Sequence, residues 1–137
     1  MAIVSTKGVY GLTAILILAK EKNKDLLQIK EIAARGEIPQ NYLEQILVTL
    51  KKSGLVESIR GANGGYKLLK DVNNITVLEV LSALESCLAH TDSKTKTDLL
   101  QHFWDDTQKK IEEIFMLTIS ELEEFLDKKN ENLVYYI

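Results

Sequence analysis

The stretch GLVESIRGANGGYKLLK, from Gly54 to Lys70, carries the strongest fold signal in this chain of 137 residues. It contains four of the chain's seven glycines, together with an arginine and two lysines. Loops of this composition commonly hold phosphate, either that of a nucleotide cofactor or that of a nucleic acid backbone. The runs LVESI and YKLL are typical of short β-strands, and Asn63-Gly64 between them favours a type I′ turn with two positive φ angles. The stretch is therefore predicted to form a β-hairpin with a glycine-rich tip.

The position of the glycines argues against a nucleotide-binding loop. Such a loop needs a helix directly after its glycines, because the N-terminus of that helix faces the phosphate. The strand-like run YKLL follows the glycines here, so a nucleic acid backbone is the better partner. Gly61 and Gly64 would let the hairpin backbone lie close to DNA, and Arg60 could reach a phosphate or a narrow minor groove. An ordinary exposed arginine on a tight turn is the alternative that the sequence leaves open.

Three helices are predicted before the hairpin, from apolar residues spaced at three and four. The first begins at a cap formed by Ser5 or Thr6, and Leu26-Leu27 then forms a brief strand. The second helix covers QIKEIAARGEI and ends at Gly36. The third, PQNYLEQILVTLKKSG, has Pro39 in its first turn and hydrogen-bonding side chains on its outward face. Those side chains are Gln40, Asn41, Glu44, Gln45 and Lys51.

The order helix, short strand, helix, helix, hairpin is that of a winged helix-turn-helix. In that arrangement the third helix enters the major groove, and the hairpin lies on the backbone or in the minor groove. Residues 1–75 are predicted to form this DNA-binding domain, and residues 76–137 a helical dimerisation and sensing region. The predicted fold class is mainly α with a small β-hairpin: a winged helix-turn-helix domain plus a long dimerisation helix.

Two capping boxes mark helix starts in the second half of the chain. They are Thr76 with Glu79 and Thr118 with Glu121, opening helices that are predicted to end near Ser86 and Lys128. A polar loop is predicted over residues 87–97, and a long helix from Asp98 to about Leu117.

The long helix carries more apolar surface than a single winged domain would cover. Its spaced apolar side chains include Phe103, Trp104, Ile111 and Ile114. A homodimer that pairs two copies of this helix is therefore predicted, with its two recognition helices about 34 Å apart on DNA.

The charge is divided unequally between the two halves of the chain. Residues 1–70 hold 11 Lys and Arg against 6 Asp and Glu, a net +5, whereas residues 71–137 hold 6 against 14, a net −8. The basic half suits a polyanion, although two solvated faces of unlike charge would give the same numbers. No run approaches the roughly 18 apolar residues of a membrane span, and the N-terminus lacks a secretory signal pattern. With a single cysteine, a cytoplasmic protein without an internal disulfide is expected.

The segments STKGVYGLTAILILA, YLEQILVTLKKSGLVESIRGANGGYKL and ITVLEVLSALE resemble the Rrf2 family of bacterial transcription regulators. The resemblance covers residues 1–86 closely and 98–137 more loosely. It implies a dimeric, sequence-specific DNA-binding regulator, most simply a repressor, and not an enzyme. Two alternatives remain: an iron–sulfur or thiol-based redox sensor of the same family, and a winged-helix module that binds proteins instead of DNA.

The resemblance also implies three groups of DNA contacts. They are Asn41, Tyr42, Glu44 and Gln45 on the recognition helix, Arg60 and Gly61 over the minor groove, and Ser5 and Lys7 against phosphates. Glu44 is suited to accept a hydrogen bond from cytosine N4, and Gln45 to reach a base edge. Tyr42 would contact a phosphate or pack against the hairpin. Val9 stands where many relatives carry a basic residue, so one backbone contact is expected to be missing.

Several members of that family hold an iron–sulfur cluster through three cysteines in the loop before the dimerisation helix. Here Cys87 is alone, so neither a cofactor nor a metal site is predicted unless His90, Asp92 or a second subunit completes the ligands. Cys87 is also a candidate thiol sensor. A half-buried cysteine at a helix end, with no sensing role, is the alternative.

The last residues, NLVYYI, carry a further resemblance. The cluster-free branch of the family includes a repressor of cysteine metabolism that works in complex with cysteine synthase, and its tail is likewise aromatic and ends in isoleucine. This implies a partnership with cysteine synthase through the C-terminal tail. A tail packed on its own dimer is the alternative.

Overall fold

A computed structural model of the chain describes residues 3–21, 26–85 and 98–135. In these residues the backbone forms six α-helices, one two-stranded antiparallel sheet and a 3-10 turn at Val72–Asn74. In chain order the elements are α1 (Thr6–Ala19), α2 (Ile29–Gly36), α3 (Gln40–Lys52), β1 (Val56–Ile59), β2 (Gly65–Leu68), α4 (Val77–Leu84), α5 (Asp98–Ile114) and α6 (Ile119–Tyr135). The predicted order of three helices followed by a hairpin is confirmed.

The core lies where α1, α2, α3 and α4 meet. From α3 it receives Leu43, Ile46, Leu47 and Leu50, each fully buried. These side chains recur at three and four residues, so one face of α3 is apolar and the opposite face is left to solvent. Because burial of an aliphatic side chain contributes about 1.5–3 kcal/mol, this face fixes the rotation of α3 about its axis.

The hairpin is tied to the start of α2. Strands β1 and β2 pair with Val56 opposite Leu68 and Ile59 opposite Gly65. The brief strand predicted near Leu27 is present as a single bridge, in which Leu27 and Tyr66 exchange two backbone hydrogen bonds of 3.0 and 2.8 Å.

The type I′ turn predicted at Asn63-Gly64 is wrong. Neither residue has a positive φ, and the positive values of the hairpin are at Gly61 (120°) and Gly65 (153°). The connection is a longer loop that contains a hydrogen bond of 3.0 Å from Gly64 N to Gly61 O. Close packing explains why residue 64 is glycine, since a Cβ there would lie 2.0 Å from the Ile59 carbonyl oxygen.

Two helix ends differ from the prediction, and a third has an unexpected capping residue. Helix α2 ends at Gly36 as expected, but the left-handed residue beyond it is Glu37, with φ of 52°. Helix α5 ends at Ile114, before the predicted boundary. Helix α6 does not stop near Lys128 but continues to Tyr135, so most of the segment NLVYYI prolongs a helix.

Both predicted capping threonines are present. Thr76 Oγ1 accepts a hydrogen bond from Glu79 N at 3.0 Å, and Thr118 Oγ1 accepts one from Glu121 N at 3.1 Å. A backbone bridge joins Thr76 to Thr118, and Ile119 is fully buried. The start of α6 is therefore attached to the start of α4 and to the core.

Helix α4 packs closely on α1. A Cβ on Gly11 would lie 1.9 Å from Leu84 Cδ1, so a larger residue there would force the Leu84 side chain to move. Val80 and Leu81 of α4 are fully buried in the same core as α1 and α3. The division of the chain between residues 75 and 76 stays a prediction. None of the described helices is long and apolar enough to span a bilayer.

Candidate nucleic-acid interface

The outward face of α3 carries the residues predicted to contact bases. Gln40, Asn41, Glu44 and Gln45 are all exposed and lie within the first two turns of the helix. Within the described part of the chain, Glu44 has no hydrogen-bond or ion-pair partner. Its carboxylate is therefore available to accept hydrogen bonds from a base edge.

Tyr42 holds the start of α3 against α1. Its half-buried ring lies edge-on to Tyr10, with ring centroids 5.6 Å apart and an interplanar angle of 76°. The aromatic partner of Tyr42 is therefore on α1 and not on the hairpin. A phosphate contact through the Tyr42 hydroxyl stays a prediction.

The tip of the hairpin presents Arg60 and Gly61 to solvent. Arg60 has no carboxylate partner among the described residues. Gly61 adopts a φ of 120°, which disfavours any other residue. Gly64 is buried, so packing accounts for it and a direct DNA contact there stays a prediction. Gln28 Nε2 donates to the Ala62 carbonyl oxygen at 3.4 Å, which links the tip to the start of α2.

The N-terminus of α1 already faces a carboxylate. Ser5 caps the helix, since its Oγ accepts a hydrogen bond from Gly8 N at 3.3 Å. Ser5 N and Oγ also donate to Glu85 Oε1, at 2.8 and 2.6 Å. Lys7, in the same first turn, is half-buried and has no carboxylate partner within the residues described. A phosphate at this helix end would therefore meet Glu85 at the Ser5 donors but would find Lys7 available.

A cleft of about 600 Å³ separates α3 from the hairpin. Its lining includes Gln28 and Lys30 from the start of α2, Val48 and Lys51 from α3, and Arg60 from the hairpin. Gln28, Lys30 and Val48 were not predicted as site residues. No sequence pattern shows that the start of α2 lies beside the hairpin, because long-range backbone pairing brings them together.

None of the four ion pairs in the described residues involves a predicted DNA contact. They are Arg35 with Glu21, Arg35 with Glu31, Lys67 with Glu57, and Lys70 with Glu79. The hydrogen bonds that the Arg35 guanidinium donates to the carboxylates of Glu21 and then Glu31 raise the pKa of Arg35. Burial, followed by repulsion from Asp127, raises the pKa of Glu123 on α6.

Because Lys7 and Arg60 take part in none of these ion pairs, the described carboxylates do not neutralise the basic groups at the interface.

The predicted dimerisation residues lie on a helix that the other described residues leave largely uncovered. Helix α5 makes no extensive contact with any other described element. Phe103 and Ile114 are 57% and 70% exposed, whereas Trp104 and Ile111 are half-buried. The rings of Phe103 and Trp104 lie edge-on, with centroids 5.2 Å apart.

Comparison with known proteins identifies the family. The model of the Rrf2 family, described as iron-dependent transcriptional regulators, matches residues 4–130. The chain belongs to the Rrf2 family. It is similar to the transcriptional regulator CymR of Bacillus subtilis strain 168, with 32% identity over 136 residues that cover 98% of this chain and 99% of CymR.

Solved structures agree with this assignment. The structure of B. subtilis CymR, described as the global cysteine regulator, superposes with a TM-score of 0.78 at 31% identity, covering 91% of this chain and 98% of that one. The structure of T. potens IscR gives a TM-score of 0.77 at 32% identity, covering 92% and 89%. The chain is therefore a DNA-binding transcription regulator of the Rrf2 type with a winged helix-turn-helix fold, as the sequence predicted. These relatives are named as regulators and not as enzymes, which agrees with the prediction.

The donor set of this Rrf2 protein does not fit the iron–sulfur cluster that the family's description suggests. Such clusters are held mostly by four thiolates, and the chain has one cysteine, Cys87. Cys87, His90 and Asp92 lie outside the described residues. Within 3–21, 26–85 and 98–135, no three His, Cys, Asp or Glu side chains are grouped to hold a metal ion. One thiolate per chain, or two per dimer, falls short of four.

Proposed function

We propose that the protein is a homodimeric repressor that recognises its operator with α3 in the major groove and the hairpin on the minor groove or backbone. The observation that carries this proposal is the outward face of α3. Its first two turns expose four hydrogen-bonding side chains above a fully buried apolar face. A helix of this design can present side chains to base edges without losing its attachment to the core. Action on DNA also favours the expected cytoplasmic location.

The residues divide by the kind of contact they would make. Glu44 and Gln45 would contact base edges, where they can discriminate between base pairs. Arg60 would lie in or over the minor groove, beside Gly61. Lys7 would bind a phosphate and contribute affinity without sequence preference.

The exposed stripe of α5 supports the homodimer. Leu100, Phe103 and Ile114 are 49%, 57% and 70% exposed. They lie on the same side of the helix as Trp104 and Ile111, and together these five side chains form an apolar stripe. A second copy of α5 would cover this stripe through a self-complementary two-fold contact. The same two-fold axis would present two α3 helices to one side of the duplex.

Replacing Lys7 with alanine is expected to weaken binding to all DNA sequences about equally. A lysine that binds a phosphate releases a counterion, so its loss should reduce the slope of log K against log salt by about 0.9 for each contact. Gel-shift titrations of the wild type and of Lys7→Ala at several salt concentrations measure this. The matched control is Lys20→Ala, which removes the same charge beyond the other end of α1.

A winged module that binds proteins instead of DNA would show no steep salt dependence of DNA binding in the same titrations. If wild-type binding to DNA showed no steep salt dependence, the proposed function would fail. If wild-type binding were steeply salt-dependent but Lys7→Ala had the same salt slope as Lys20→Ala, the proposed function would stand and only the Lys7 phosphate contact would be wrong.

Sensing by this protein is proposed to be independent of iron. Since the donors do not fit a cluster, protein purified without oxygen is expected to be colourless and to contain less than about 0.1 iron per chain, well below the two to four iron atoms of common clusters. Absorption spectroscopy and an iron assay measure this, and a brown protein with stoichiometric iron would contradict it. Thiol sensing through Cys87 stays a prediction, because that residue lies outside the described residues.

The likeness to CymR, described as a global cysteine regulator, supports a role in cysteine metabolism. The proposed partnership with cysteine synthase rests on the sequence of the C-terminal tail alone. Helix α6 carries that sequence as far as Tyr135, and residues 136 and 137 lie outside the described residues.

A further inference from the structure

The contact between Glu85 and Ser5 joins the end of α4 to the beginning of α1. Glu85 is the residue directly after α4, and its Oε1 accepts hydrogen bonds from Ser5 N at 2.8 Å and from Ser5 Oγ at 2.6 Å. Within the part of the chain that the structure describes, Glu85 takes part in no ion pair. Ser5 therefore supplies the hydrogen bonds that this carboxylate receives.

Gly8 leaves the space that the carboxylate fills. It is buried in the first turn of α1, and a Cβ there would lie 2.4 Å from Glu85 Oε1 and 2.7 Å from Val4 Cγ1. A side chain at residue 8 would require Glu85 or Val4 to move. The packing of the first turn thus accommodates Glu85 in addition to the hydrogen bonds that hold it.

Ser5 cannot serve Glu85 and a phosphate at the same time. It has two protons to donate, one on the backbone nitrogen and one on the hydroxyl. Both are donated to Glu85 Oε1, while the hydroxyl oxygen accepts from Gly8 N at 3.3 Å. A phosphate oxygen could receive either proton only after Glu85 had released it, and two anions at one helix end repel each other. The two contacts of Ser5 are therefore mutually exclusive.

An exchange of Glu85 for a phosphate would leave the core closed. Ser5 is exposed, so a phosphate can approach it from solvent. Helix α4 stays packed on α1 through Leu81 and Leu84, which are buried against the glycines of α1. The backbone of Glu85 is held to α4 by a hydrogen bond of 2.6 Å from its nitrogen to Leu81 O. Only the Glu85 side chain has to turn away.

We propose that Glu85 is an intramolecular competitor of the DNA backbone for the N-terminus of α1. While Glu85 is in place, Ser5 makes no phosphate contact, and the protein binds DNA below its full affinity. Displacement of Glu85 frees the Ser5 donors and strengthens binding, and DNA binding in turn favours the displaced state by the same factor. The inference rests on the proposed function, because it presupposes that the N-terminus of α1 faces a phosphate.

The position of Glu85 sets the direction of control. In the sequence, Glu85 lies between α4 and residues 86–97, which lead to α5. A ligand or modification that draws the end of α4 away from α1 is expected to tighten DNA binding, and one that holds Glu85 against Ser5 is expected to weaken it. Lys7 does not enter this exchange, because it has no carboxylate partner among the described residues.

The first test compares Glu85→Ala with the wild type on an operator selected from genomic DNA. Alanine removes both the acceptor and the charge, so affinity should rise at least about tenfold for the dimer, or about 1.4 kcal/mol. Glu113→Ala is the matched control, since it removes an exposed carboxylate from α5, and it should leave affinity nearly unchanged. If Glu85 instead supported α1 in its binding position, Glu85→Ala would bind more weakly, and that result would overturn the inference.

Glu85→Gln decides the question if Glu85→Ala proves to be unfolded in circular dichroism melts. The glutamine carbonyl oxygen can still accept from Ser5, so the contact with α1 is retained in a weaker, uncharged form. Operator affinity should rise, by less than in Glu85→Ala where both can be measured. No rise over the wild type would overturn the inference.

The second test measures the coupling between Glu85 and Ser5. Ser5→Ala removes the hydroxyl that Glu85 occupies in the wild type, so it should cost little operator affinity there. In the Glu85→Ala background the hydroxyl is free for a phosphate, and its removal should cost at least about threefold more than in the wild type. Loss of the helix cap is common to both backgrounds and cancels. Equal effects of Ser5→Ala in the two backgrounds would contradict the proposal.

The third test looks for the new contact on DNA. Operators that carry a single neutral methylphosphonate at successive positions are titrated with the wild type and with Glu85→Ala. At one position of each half-site the substitution should weaken Glu85→Ala more than the wild type, and this difference should disappear when Ser5→Ala is added. Identical profiles for the wild type and Glu85→Ala would mean that no phosphate replaces the carboxylate, and the inference would be wrong.

The outcomes separate this inference from the function on which it rests. If neither the wild type nor Glu85→Ala binds DNA, the proposed function fails and the inference fails with it. If the wild type binds with a steep salt dependence but Glu85→Ala gains no more affinity than Glu113→Ala, the proposed function stands and only the competition by Glu85 is wrong.

Discussion

Replacing Trp104 with aspartate is expected to split the dimer into monomers. Trp104 is half-buried and packs edge-on with Phe103, on a helix that no other described element extensively covers. A second copy of α5 would place Trp104 in an apolar contact, where an unpaired carboxylate costs about 3–5 kcal/mol. The dimer dissociation constant should therefore rise at least about 100-fold. Light scattering and sedimentation at micromolar protein measure this.

His102→Asp is the matched control for this change. His102 is exposed and lies on the opposite side of α5 from the stripe of Leu100, Trp104 and Ile111, so the same aspartate there should leave the dimer intact. Operator binding should follow the oligomeric state, because a monomer contacts only one half-site. A stable dimer of Trp104→Asp, or equal dissociation of both variants, would contradict the proposed interface.

Replacing Glu44 with alanine is expected to change which operators the protein prefers. An acidic side chain opposes a polyanion, so its presence at the centre of the exposed face of α3 indicates a specific hydrogen bond and not a contribution to general affinity. A side chain that accepts from cytosine N4 is worth about 1–3 kcal/mol of discrimination, or roughly 5- to 150-fold between base pairs. Glu44→Ala should lose that preference at one position of each half-site.

Competition binding with a set of single-base operator variants measures the effect. Affinity for non-cognate DNA should rise slightly in Glu44→Ala, since one repulsive charge is removed. Glu113→Ala removes an exposed carboxylate from α5, away from α3, and controls for net charge. If Glu44→Ala ranked the operator variants as the wild type does, the base-contact assignment would be wrong.

Helical periodicity made α3 predictable from sequence. Leu43, Ile46, Leu47 and Leu50 recur with the period of a helix, so the polar face opposite them followed directly. The two capping threonines were predictable for a similar reason, since a cap is set by residues three apart. Signals of this kind depend only on neighbours in the chain.

Features set by tertiary contacts were missed. The pair Asn63-Gly64 predicted a two-residue turn, but Gly64 packs against the Ile59 carbonyl. Gly65 packs against the Leu27 carbonyl, where an added Cβ would lie 2.5 Å from the carbonyl oxygen. Those contacts select a different loop. The left-handed conformation of Glu37, the residue after α2, was also unexpected, because a non-glycine residue seldom adopts positive φ.

Contacts between distant segments explain the remaining differences at the site. Glu85 accepts hydrogen bonds from Ser5, which is 80 residues away in the sequence, and no sequence motif predicts a carboxylate at the N-terminus of α1. The cleft exists only because the Leu27–Tyr66 bridge places the start of α2 beside the hairpin. Lys30 and Val48 look like ordinary helix residues until these elements are brought together.

In the proposed complex, two copies of α3 and of the hairpin face the same side of a DNA duplex. Hydroxyl-radical footprinting on a fragment selected from genomic DNA at physiological ionic strength tests it most directly. We expect two protected patches on one side of the duplex, with centres about 34 Å apart, which is one helical turn, or a small multiple of that distance apart. A single patch, or no preference for any genomic fragment, would contradict it.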